Sequence, residues 1–81
     1  MSNIITVSQA GSQYKVADNY GRVIDYVVSQ VEAIAIAKIR LVQYGYDLIQ
    51  VHCSRNGSVH KKGQIIDNIW RSQVLREFNL G

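Results

Sequence analysis

The chain has 81 residues with 47% apolar side chains, enough for one small core and too many for a disordered segment. Its single cysteine excludes an intrachain disulfide and suits a reducing compartment, and no apolar stretch approaches the roughly 20 residues of a membrane span. A net charge of +3 is compatible with a polyanionic partner without requiring one.

The opening "MSNIITVSQAGSQYK" has neither a basic leader nor a long apolar stretch, so no secretory signal is expected and the cytoplasm is the expected location. With six glycines and no proline, turns must be built from Gly, Asn, Asp and Ser. Three short alternating runs come first. They align Ile5 with Val7, Tyr14 with Val16, and Ile24 with Tyr26 and Val28. Ala10-Gly11-Ser12 and Asn19-Tyr20-Gly21 lie between them as turns, which predicts an antiparallel meander.

At Ser29 the pattern changes to helical. Ser29 and Glu32 have the spacing of a capping box, and Gly45 sits where a left-handed cap is expected. A helix is therefore predicted over 30–44, with Val31, Ile34, Ala37 and Leu41 facing the core. Residues 47–53 return to alternation, with Ile49, Val51 and Cys53 on one face. Asn56-Gly57 predicts a hairpin leading into a further strand over 58–62. In the tail, Ile66, Trp70, Val74 and Phe78 recur every fourth residue, predicting a short amphipathic helix after Asp67. The fold class is α+β: a small antiparallel sheet (β-β-β-α-β-β) with one helix on one face and a short C-terminal helix. Residues 1–63 form the core, and 64–81 are an amphipathic tail of the same single domain.

This layout, with "QYKV" at 13–16, "SQVEAIAIA" at 29–37, Gly45, "VH" at 51–52 and "NGSV" at 56–59, resembles a family of short bacterial domains of unknown function with a β-β-β-α-β-β plan. The match covers about residues 3–62 and leaves the tail outside. Asn56-Gly57 stands where that family usually has an acidic residue before glycine. The resemblance implies a fold and no catalytic residues. The layout is also similar to some phage-encoded inhibitors of bacterial defence systems.

Residues 51–63 hold Cys53, both histidines and three of the nine basic side chains, Arg55, Lys61 and Lys62. Two hairpin registers are open here. A two-residue loop pairs Cys53 with His60, and a three-residue loop pairs His52 with His60. Either brings together two ligands where structural zinc needs four, so no metal is expected. No acidic residue lies nearby to orient a Cys–His pair, and neither a P-loop nor a dinucleotide fingerprint is present, so neither an enzyme nor a cofactor is expected. In the three-residue register His52, His60 and Lys62 share a wet face beside Arg55 and Lys61. That ribbon is a candidate phosphate contact for nucleic acid, although no aromatic side chain interleaves with it.

Apolar residues exceed what one helix on one sheet can bury. Ile4, Val23, Val27 and Leu48 point outward in the predicted strands, and Ile36 and Ile39 fall on the far side of the predicted helix. Ile36, Ile39, Trp70, Val74 and Phe78 are therefore candidate protein-interface residues, with Trp70 and Phe78 as anchors. The expected function is a non-catalytic cytoplasmic binding or adaptor module, a homodimer with a further protein partner. An inhibitor docking on a larger complex is the alternative, and a nucleic-acid accessory protein is the third reading.

Overall fold

The alternating runs form strands β1 (Ile4–Ala10), β2 (Gln13–Asp18) and β3 (Val23–Val27), followed by helix α1 (Gln30–Tyr44), strands β4 (Leu48–His52) and β5 (Ile65–Trp70), and helix α2 (Arg71–Glu77). The computed structural model describes residues 3–80; positions 1–2 and 81 of the expected ranges lie outside the described residues. The five strands form one sheet in the order β3-β2-β1-β4-β5, with α1 against one face. The sheet is mixed, not purely antiparallel. A helical crossover from β3 delivers β4 alongside β1 in the same direction, so this pair is parallel and the other three are antiparallel.

Ser29 starts α1 by accepting a hydrogen bond from the Glu32 backbone N–H at 3.2 Å. Only this half of the expected capping box forms among the described residues. Gly45 ends the helix at φ 71°, a left-handed conformation that costs a side chain with Cβ on the order of 1 to 2 kcal/mol. The buried stripe of α1 is Ala33, Ala37 and Leu41; the expected Ala37 and Leu41 lie in it, the expected Ile34 is half-buried against the core, and Ala33 rather than Val31 completes it. Two alanines let the helix approach the sheet closely, and Val31 is rotated out to 80% exposure. Beneath that stripe lie Ile5, Val7, Val16, Val27, Ile49 and Val51.

In β3 the expected alignment of Ile24, Tyr26 and Val28 does not hold. A bulge opposite Val16 and Ala17 shifts the register, so Val27 opposes Tyr14 and enters the core while Tyr26 and Val28 are exposed.

The hairpin at Asn56-Gly57 and the strand over 58–62 do not form. Cys53 instead pairs with Gly63 and Gln64, and residues 54–62 make a loop. Neither Asn56 nor Gly57 has a positive φ, whereas Gly63 does at 87°. The segment after Gly57 offers one large apolar side chain, Val59, left 78% exposed. Residues 65–70 offer Ile65, Ile66, Ile69 and Trp70, and that richer run takes the free edge of β4. The tail's four-residue apolar spacing is thus split between a strand and a seven-residue helix beginning at Arg71 rather than after Asp67.

Among the described residues no helix packs on the second face of the sheet, although Ala17 and Leu48 on it are buried. Ile4, Leu48 and Trp70 form one row across it, and Val23, Ala17, Thr6, Gln50 and Asn68 form the next. On the helix side one row runs Asp25, Val16, Val7, Val51, Asp67, placing an aspartate at each edge of the sheet. Each of these carboxylates accepts from the backbone N–H of the following residue, Tyr26 at 2.8 Å and Asn68 at 2.9 Å. The Trp70 N–H is taken by the Gln73 side chain at 2.8 Å. Donors that an incoming strand would use are thereby occupied, and a charge stands at each edge.

Candidate functional site

The basic segment is a loop held by hydrogen bonds among its own backbone and side chains. Gly57 N–H donates to the His60 carbonyl, Lys62 N–H to the Asn56 side chain, and Lys61 N–H to the Gln64 side chain. Arg55, Lys61 and Lys62 are exposed on this loop, while His52 lies in β4 opposite Ile65 and His60 is half-buried. Neither histidine pairing expected from a short hairpin occurs. His52 Nε2 and His60 Nδ1 are both shielded and without a hydrogen-bond partner. The Cys53 thiol donates to the Arg55 carbonyl at 2.9 Å. Among the described residues no three His, Cys, Asp or Glu side chains are grouped to hold a metal ion. The cations share the loop, but the wet strand face proposed for them does not exist.

The candidate interface residues occupy three different environments. Val74 is fully buried in the common core and cannot serve an external partner without unfolding α2. Trp70, 54% exposed, lies at the end of β5 on the sheet face away from α1. Phe78 is at the end of α2 and, with Val31, Ile34, Ala35 and Ile39, lines a groove of ≈ 320 Å³ between the helices. Ile36 is half-buried against the core, and Ile39 stands between that groove and a second one bordered by Asp25 and Tyr44. Trp70, Val74 and Phe78 therefore make no single seam, because the chain changes from strand to helix between the first two.

The groove has a fixed frame. Lys38 of α1 and Glu77 of α2 form an ion pair at 2.9 Å on its wall. Arg71 donates through one guanidinium nitrogen to the carbonyls of Leu41 at 2.7 Å and Tyr46 at 3.1 Å. These are carbonyls at the end of α1, where a cation also complements the helix dipole. With Val74 in the core, α2 is fastened at both ends and in the middle to its own chain.

At the end of the sheet remote from the loop, sequence reasoning missed a third cluster. Arg22, Arg40, Tyr44 and Tyr46 line one cleft with Asp18, and Tyr20 lines the space adjoining it. The only local signal was the interleaving of Tyr with Arg at 20–22 and again at 40–46; those segments meet only through the fold. No family model matches the chain, and comparison with curated proteins and with solved structures also returns no match.

Proposed function

We propose that this chain is a non-catalytic, cytoplasmic module that acts by binding protein, with the α1–α2 groove as its docking surface. One observation carries the reading: Val31, Ile34, Ala35, Ile39 and Phe78 present a continuous apolar groove on a frame braced by the Lys38–Glu77 pair. Small domains rarely leave such surface open unless something covers it. The occupied donors at both sheet edges argue against strand addition and direct a partner to a face. The partner is a second copy of this chain or a larger protein; an inhibitor docking on a larger assembly would use the same surface.

Ile39→Asp and Phe78→Asp test this, because both side chains are already partly exposed and charge there should spare the fold. Light scattering of native protein at micromolar concentration reads self-association, and affinity capture from the source cell reads other partners. A dimer, or a specific retained protein, that both variants lose while melting near the native temperature supports the groove. Equal binding by all three proteins refutes it.

A further inference from the structure

The cleft of tyrosines and arginines has a chemistry unlike that of the groove. Its main part, ≈ 380 Å³, is lined by Asp18, Arg22, Arg40, Tyr44 and Tyr46 together with Val23 and Ile24. It continues into a space of ≈ 240 Å³ beside Asn3 and Tyr20. The main part falls within the range of small-ligand sites, about 300 to 1,000 Å³, and the adjoining space is smaller.

Two cations face this cleft, and neither is ion-paired among the described residues, where Lys38–Glu77 is the pair formed. The Arg40 guanidinium lies over the Tyr44 ring, 5.4 Å from its centroid, and donates to the Tyr44 hydroxyl at 3.3 Å. Its planar fork is therefore oriented in advance. The one acid in the lining, Asp18, is buried and serves the turn: its Oδ1 accepts from the backbone N–H groups of Tyr20 and Arg22, each at 2.9 Å. This bonding, with Gly21 at φ 83°, holds Tyr20 and Arg22 at the rim. Tyr20 and Tyr44 remain 71% and 64% exposed. Large ring surfaces left open beside unpaired guanidiniums match a ligand that has both a planar apolar part and an anion.

We infer that this cleft binds a nucleotide unit, the base stacking on an exposed tyrosine and the phosphate held by Arg22 and Arg40. Stacking on tyrosine is tolerant of base identity, and guanidinium–phosphate contact supplies orientation. The interleaving of aromatic and basic side chains that the 53–64 loop lacks is present here. The same unit exists free or within a single strand, and both sources offer the same two contacts.

The test uses the isotope-labelled full chain with uridine 5′-monophosphate, with oligouridylate, with inorganic phosphate, and with a phosphotyrosine peptide. Amide shifts at 18–24 and 40–46 are expected with both nucleotides and should be weaker with phosphate. Anisotropy of labelled oligouridylate should show Tyr44→Ala and Tyr20→Ala each weakening binding about 5- to 150-fold, the range for one stacked base. Arg22→Gln should lower the salt slope by about one. Equal affinity for monomer and oligomer assigns a free nucleotide, whereas affinity rising with length assigns a strand. Any of three results overturns the inference: no shift at millimolar nucleotide, shifts confined to 53–64, or both tyrosine variants binding as native. A phosphotyrosine peptide that shifts these amides when nucleotides do not would overturn it as well. Both tyrosines are largely exposed, so melting curves will separate lost binding from lost fold.

Discussion

Replacing Arg71 with alanine removes the contact that joins the start of α2 to the end of α1. Two hydrogen bonds from a cation are lost, each of a kind that contributes about 1.5 to 3 kcal/mol. They are not equivalent. The Leu41 carbonyl keeps the backbone donors of Gly45 and Tyr46, at 3.1 and 3.2 Å, so it is not left bare. The Tyr46 carbonyl loses its side-chain donor, although Arg71 is half-exposed and water can replace part of the loss. Removing a cation from the C-terminal end of α1 adds about 0.3 to 1 kcal/mol. The net expectation is about 2 kcal/mol, which for a domain of this size lowers the melting temperature by about 8 to 16 °C. Urea and thermal denaturation of Arg71→Ala and Arg71→Met measure it; methionine keeps the apolar stem and discards the donors. Both variants should fall together, with an unchanged urea slope. If methionine restores native stability, the stem rather than the hydrogen bonds does the holding. If alanine shifts the midpoint by less than about 0.5 kcal/mol, a typical effect of a surface change, the clamp is wrong.

Ser29→Ala should lower stability by about 1 kcal/mol through the lost N-cap; an unmoved denaturation midpoint would place the helix start elsewhere. The two loop glycines should behave oppositely. Gly63→Ala is expected to cost about 1 to 2 kcal/mol because its φ is positive, whereas Gly57→Ala meets only the His60 carbonyl at 3.8 Å and should be near neutral. The reverse order in denaturation midpoints would restore a hairpin turn at 56–57. Val74→Ala should cost about 2 kcal/mol in the same assay, as expected for two methylene equivalents removed from a fully buried site, and a neutral result would mean α2 is not docked. Asp67→Ala frees the Asn68 N–H at the sheet edge, so concentration-dependent scattering should rise above that of native protein; unchanged scattering would show that this edge is guarded otherwise.

What the sequence determined by itself were features whose physics is local. Alternation, caps and turn residues act within a few positions, so β1, β2, β4 and the bounds of α1 at Ser29 and Gly45 were legible, as was the α+β order. Tertiary structure decided whatever depended on competition between distant segments. Asn56-Gly57 favours a turn locally, yet the edge of β4 went to residues 65–70, which carry three β-branched isoleucines and lead directly into the buried Val74. The same choice turned a periodic tail into a strand plus a helix, sending Val74 inward and leaving Trp70 and Phe78 apart. The parallel pairing of β1 with β4 depends on where a crossover helix sets the chain down, which no spacing within either strand records. Arg71 was an ordinary tail cation until the pairing of β5 with β4 brought it to the end of α1. Arg22 and Arg40, 18 positions apart in the chain, share a cleft only because the β2–β3 turn and the end of α1 lie at the same end of the sheet.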